Sequence, residues 1–173
     1  MADKREAHVE ALQIAMDTEK KGCKFYRIAA KSSSDPQARE VFKHLADDEI
    51  EHMGAFATLY ESLLNDEPWM TYEEAAARFG DTPPEDIIFL EVPEEAQEGF
   101  DDLKALEEAL EFEKKAVAFY TERAEAEKEG KARAFYRSLV EIEGAHVQIV
   151  QAEIDSLSGS GFWLGYQEIS LED

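Results

Sequence analysis

The chain has 173 residues, enough for one well-filled core and short for two. Eighteen Lys plus Arg against forty Asp plus Glu leave a net charge of −22, so neither nucleic acid phosphates nor an anionic membrane surface is expected as a partner. The single cysteine, Cys23, excludes an internal disulfide and a four-cysteine metal knot; without a signal-peptide core or an apolar run of about eighteen residues, a soluble cytoplasmic protein is expected.

Four long segments carry helical periodicity. The first, about Ala7 to Lys31, places Leu12, Ala15, Glu19, Cys23, Tyr26 and Ala30 on one face at three- and four-residue steps. Three serines and Asp35-Pro36 break it, with Asp35 suited to cap the next helix and Pro36 to its first turn. The second, about Pro36 to Leu64, faces inward with Val41, Leu45, Glu49, His52, Phe56 and Leu63. The stretch from Asn65 to Phe100 holds four prolines and predicts one short helix at Tyr72 to Phe79. Its apolar run Ile87 to Leu90 either covers a bundle edge or meets a second subunit. The third segment, about Asp101 to Lys128, turns Leu106, Leu110, Glu113, Val117, Tyr120 and Ala124 inward, and Gly130 fits its stop. The fourth, about Lys131 to Leu157, carries Phe135, Leu139, Ile142, His146 and Ile149. An aromatic tail, Phe162 to Tyr166, is expected to pack on the bundle.

These elements predict an all-α fold, a single domain over residues 1–173. Short links make residues 7–64 one antiparallel hairpin and 101–157 another, with a crossover at 65–100 long enough to dock the second beside the first and a tail from 158 to 173.

The two hairpins also repeat each other. At a constant offset of 94 residues Glu19 maps onto Glu113, Tyr26 onto Tyr120, Glu49 onto Glu143 and His52 onto His146, without a gap. Residues three apart share a helix face, so Glu49 with His52, and Glu143 with His146, can each offer a carboxylate and an imidazole to one point. Glu19 and Glu113 interrupt apolar stripes, where a solvated-face explanation fails. Facing helices lie roughly 8–10 Å apart, which lets all six side chains converge on a pair of ions. Four carboxylates balance two divalent cations, and without metal each would cost several kcal/mol to bury or would take up a proton. Oxygen and imidazole donors without thiolate suit iron or manganese better than structural zinc, although zinc remains open.

Tyr26 and Tyr120, two turns beyond their glutamates, either hydrogen-bond those carboxylates or serve as amphipathic core residues. Cys23 reads as a small core residue, since its repeat partner is Val117. His8 and His44, whose partners are Asp102 and Ser138, are expected at the surface.

On these residues the chain resembles ferritin-like proteins of the rubrerythrin-related group. The family pattern is a glutamate in the first helix, Glu-x-x-His in the second, a glutamate in the third and Glu-x-x-His in the fourth; the resemblance spans about Ala7 to Ile154. It implies a ferritin-like four-helix bundle holding two iron ions, bridged by Glu49 and Glu143, with Glu19 and Glu113 terminal and one histidine per ion. Two departures stand out. Rubrerythrins carry a further ligand glutamate one turn after the third-helix ligand, where this chain has Ala116, and they carry a four-cysteine rubredoxin domain, which is missing here. Electrons would therefore come from a separate, rubredoxin-like donor.

The expected function is oxidation of Fe(II), or reduction of peroxide or dioxygen, at two ions about 3.5–4 Å apart. Iron binding or storage without turnover, or a stress-related interaction protein with a structural metal, are the alternatives. A homodimer is expected by analogy with other hairpin-duplicated bundles. No separate catalytic residue is legible.

Overall fold

A computed structural model describes residues 2–79 and 92–159 of the chain, with side chains from residue 6 onward. Both the apolar run at 87–90 and the aromatic tail at 162–166 lie outside the described residues. Five helices make up the regular structure among them: α1 (Ala2–Ser32), α2 (Pro36–Leu64), α3 (Tyr72–Phe79), α4 (Asp102–Ala126) and α5 (Gly130–Ser158). α1 pairs with α2 and α4 with α5, and the two hairpins close into an all-α, ferritin-like bundle. No helix among the described residues is long and apolar enough to cross a membrane.

The helix ends follow from local chemistry. Asp35 caps α2, its carboxylate accepting from the N–H groups of Gln37 and Ala38 at 2.9 Å, with Pro36 in the first turn where a missing N–H costs nothing. Asp101 caps α4 through Lys104 N–H at 3.0 Å. Its neighbour Asp102 accepts from Ser34 N–H, Ser34 Oγ and Asp35 N–H at 3.1, 2.8 and 3.0 Å, so the start of the second hairpin is fastened to the turn of the first. Gly130 does not stop the third long helix. That helix ends at Ala126, and Glu129 caps α5, whose first residue is Gly130. Gly159, at φ +65°, closes α5 in the left-handed conformation that glycine adopts freely.

The apolar core divides into two ends with the acidic layer between them. One end collects Leu12, Phe56, Leu59, Tyr120, Phe135, Tyr136 and Leu139; the other collects Tyr26, Phe42, Leu45, Leu106, Leu110 and Val150. Four expected core positions are displaced by one residue. Ala29, Phe42, Ala116 and Val150 are buried where Ala30, Val41, Val117 and Ile149 are only half-buried, because a straight 3.6-residue helix drifts against any fixed three-four pattern.

The crossover feeds the first end. Trp69, Met70, Tyr72 and Ala75 are buried in it, and Trp69 packs against Phe135 and Tyr136 with ring centroids 6.0 Å apart in each case. α3 begins with a reciprocal cap: Thr71 N–H donates to Glu74 at 2.8 Å and Glu74 N–H to Thr71 Oγ1 at 3.2 Å. Two polar side-chain contacts then tie α3 to α5: Lys131 pairs with Glu74 at 2.9 Å, and Ser138 donates to Glu73 at 3.1 Å. Against α2 it lays Phe79 on Gly54, where an added Cβ would stand only 2.1 Å from the ring. The far arm of the crossover lies along the end of α1, with Lys31 donating to the Pro93 carbonyl at 2.8 Å and Gln97 N–H to Ser32 at 3.0 Å.

Candidate metal centre

All six acidic and imidazole residues marked by the repeat are buried in the middle of the bundle. α1 supplies Glu19, α2 Glu49 and His52, α4 Glu113, and α5 Glu143 and His146. They form two triads, Glu19 with Glu49 and His52, and Glu113 with Glu143 and His146; within each, one donor atom per residue lies within 4.8 Å of the others.

The histidines fix the orientation of the layer. His52 turns Nδ1 inward, 3.4 Å from Glu49, 3.4 Å from Glu143 and 3.9 Å from Glu19. His146 also turns Nδ1 inward, 3.1 Å from Glu143 and 3.5 Å from Glu113. Glu143 thus offers one oxygen to each histidine, the posture of a carboxylate that spans two centres. The imidazole rings stack at 5.9 Å between centroids.

Each tyrosine crosses to the other hairpin. Tyr26, on the helix of Glu19, donates to Glu113; Tyr120, on the helix of Glu113, donates to Glu19. A residue seven positions along a helix is displaced about 10 Å from its own glutamate, so the glutamate it meets is the one facing it across the bundle. Burial raises both phenols well above their ordinary range and the nearby carboxylates add to it, so they stay protonated donors.

Glu19, Glu49 and Glu143 hold protons unequally. Burial and the charge of Glu19 hold Glu49 well above the carboxylate range, and burial raises Glu143 to about 7. Glu19 departs from the expectation that clustered carboxylates all rise. Burial opposes its ionisation, yet the neighbouring Glu49 and His52 and the hydrogen bond from Tyr120 outweigh it and bring Glu19 to about 2. His146 feels the same contest with the opposite sign: burial disfavours the imidazolium, but Asp48, Glu113 and Glu143 push it up to about 12.

The donors fit metal ions. Glu19 Oε2, both oxygens of Glu49, Glu113 Oε2, Glu143 Oε1 and His52 Nδ1 are buried without a hydrogen-bond partner. Orphaned buried acceptors cost about 1–3 kcal/mol each, more when charged, so a structure that gathers five carboxylate oxygens in this state is built to satisfy them otherwise. Gly22 leaves room for the layer: a Cβ there would stand 2.9 Å from the Phe112 ring and 3.2 Å from Glu49 Oε1.

Other residues fall around the site. Cys23 is fully buried beside Met53, its thiol pushed up by burial and donating weakly to the Ala46 carbonyl, as a core residue should. His44 is exposed, as expected, yet lies 3.3 Å from Asp48. His8 is not a surface residue. It is half-buried, pairs with Glu127 at 2.7 Å and meets the Trp69 ring edge-on, because the crossover roofs that end of α1. Two neighbours of the site escaped the sequence reading: Asp48, 2.9 Å from His146 Nε2, and Tyr72, whose ring lies 5.8 Å from that of His52. Asp48 breaks the repeat, facing Ile142 in the alignment, and that break was its only signal.

A bundle that places four carboxylates and two imidazoles in two matched triads is the architecture of a dinuclear carboxylate protein. The Rubrerythrin family model matches residues 10–154, and the chain belongs to the rubrerythrin family. Neither a curated protein nor a solved structure gives a match.

Proposed function

We propose that the protein binds two iron ions through Glu19, Glu49, His52, Glu113, Glu143 and His146 and uses them to oxidise Fe(II), or to reduce peroxide or dioxygen with electrons from a separate rubredoxin-like donor. The observation that carries this reading is the set of orphaned buried carboxylate oxygens shared between two triads. Iron, when bound, would supply one-electron redox chemistry that the carboxylates and imidazoles of the layer lack.

The chain's own residues set the conditions for that chemistry. Glu143, which offers one oxygen to each histidine, would span the ions together with its repeat partner Glu49, and Glu19 and Glu113 would terminate them. Tyr26 and Tyr120 hold the terminal carboxylates in place and keep a proton at each phenol. The apolar ends keep bulk water from the layer, which strengthens every charge interaction within it. Ala116 is buried where other rubrerythrins add a seventh ligand, which leaves a symmetric set of six.

Anaerobic loading tests the reading. The chain should take up two Fe(II), and air or peroxide should then be consumed as a ferric absorption band appears. His52→Ala and His146→Ala should each lower the iron content, whereas His8→Ala and His44→Ala should not. Redox-inert metal that zinc replaces without consequence would overturn the redox assignment in favour of a structural role.

A further inference from the structure

The repeat makes the two triads equal, but their surroundings are not. Behind His146 stands Asp48, its Oδ2 2.9 Å from Nε2, while Nδ1 of the same ring faces Glu143 and Glu113. A carboxylate there accepts a hydrogen bond from Nε2–H, which makes Nδ1, directed at the triad, the nitrogen that gives up its proton to a metal. The same contact holds the ring angle and makes Nδ1 a stronger donor. The repeat partner of Asp48 in the other half is Ile142, an aliphatic side chain that accepts no proton, and His52 instead has the Tyr72 ring edge-on at 5.8 Å between centroids. Asp48 is itself held on the outer side by His44 at 3.3 Å, and both residues line a cleft of about 370 Å³ with His146, Glu73 and Glu141.

We propose that Asp48 is a positioning residue that makes the two metal positions unequal: by fixing the tautomer and orientation of His146 it causes the Glu113, Glu143 and His146 position to fill before the Glu19, Glu49 and His52 position. The inference rests on the dinuclear reading above, and it gives the two halves of a duplicated site different duties. The position backed by Asp48 keeps its ion. The other, beneath Tyr72, is the one whose ion exchanges.

Cobalt(II) added stepwise to the full-length apo chain tests this without reference to turnover. A histidine bound through Nδ1 carries its remaining proton on Nε2, and a paramagnetic ion shifts that proton far outside the ordinary spectrum. In the wild type, below one equivalent, one such exchangeable signal should dominate, and it should be the one that His146→Ala removes. Asp48→Ala should weaken the first binding step about 10- to 100-fold, leave the second within a few-fold and abolish the order of filling. Asp48→Asn keeps an oxygen that can accept from Nε2 and should recover part of the order. A merely structural role would not produce that recovery. Apo helicity should match the wild type in both variants, while losing the carboxylate partner of buried His146 lowers apo melting in each, so the order of filling is read from the titration and not from stability. Simultaneous growth of both signals in the wild type, or an unchanged first step in Asp48→Ala, would overturn the inference while leaving the dinuclear site intact. Failure of the wild type to take up two ions would instead remove the reading on which it stands.

Discussion

The two ends of the bundle began from the same plan and were finished differently. Leu12 and Leu106, Ala15 and Ala109, and Leu45 and Leu139 are repeat partners that occupy opposite ends, so each end inherits one copy of a shared apolar frame. Among the described residues the two ends draw unequally on the crossover. Its first arm sends Trp69, Met70, Tyr72 and Ala75 into one end, where they join Phe56, Phe135 and Tyr136 in an aromatic cluster, while the other end closes on Tyr26, Phe42 and Phe25 with the half-buried Phe100 of the second arm. Between them the six donors and two tyrosines repeat without exception. The contrast separates two kinds of demand. A pair of like ions needs like donors in a twofold arrangement, whereas an apolar end needs only to be filled, by whatever volume the chain brings.

The aromatic end is where the comparison should break most visibly. Phe135 touches Phe56, Trp69, Tyr72 and Tyr136, and Phe135→Ala should cost about 3–5 kcal/mol in urea denaturation while leaving the metal content at two. Lost metal in that variant would mean that packing at one end, and not the repeated layer, holds the donors.

Metal removal probes the layer itself. Ions that bind only the folded chain add about 4 kcal/mol when free metal is a thousandfold above Kd, so the apo form should melt well below the metal-loaded form. The apo gap depends on pH with a definite sign. Glu49 and Glu143 have folded pKa values above the ordinary 4.5, with Glu143 at about 7, so their contribution is full at acid pH and is lost as pH rises through those values. His146, raised from 6.5 to about 12, acts in the same direction over the window above it. Glu19, lowered to about 2, opposes them only below about pH 4.5. The apo protein should therefore gain stability from pH 8 to pH 5, and the loaded protein should lose it as protons compete for the same oxygens. Melting curves with and without chelator at the two pH values decide the matter, and an apo form that softens on acidification would refute the buried layer.

Tyr26→Phe and Tyr120→Phe sharpen the symmetry. Each removes a hydrogen bond to a buried carboxylate, a loss of about 1.5–3 kcal/mol, and the two penalties should agree within error although the tyrosines lie in differently built ends. Unequal penalties in urea unfolding would show that the ends reach into the layer. The smallest effect is expected at Gly54→Ala. The new Cβ collides with Phe79, and α3 must give way at a cost of about 1–3 kcal/mol, partly offset by up to about 1 kcal/mol of helix propensity. Tyr72 fluorescence or hydrogen exchange in α3 should report the shift.

The donors were legible because their chemistry is stated twice in the sequence at one fixed spacing. α2 and α3 were also legible to their ends, since Asp35-Pro36 and Thr71 with Glu74 are local signals. What escaped depended on partners far along the chain. That Tyr26 meets Glu113, and not its own Glu19, follows from which helices face each other. The burial of His8 required knowing that Trp69 returns over α1. Gly130 misled because a glycine fits either side of a short helix-to-helix link, and only the Glu129 side chain settles which. Asp48 was overlooked for the opposite reason: a search for repetition discards the residue that does not repeat.

The crossed tyrosines bear on how such a chain could originate. Each hairpin contains a glutamate, a Glu-x-x-His pair and a tyrosine that reaches past its own half to the glutamate of the other. One hairpin is therefore a complete set of instructions for a twofold-symmetric pair: two identical copies, docked as these two halves dock, would assemble all six donors and both crossed bonds with no residue left over. The centre needs no covalent link between its halves. Joining them in one chain adds the freedom to differ, and the crossover helix and Asp48 are where this protein has used it.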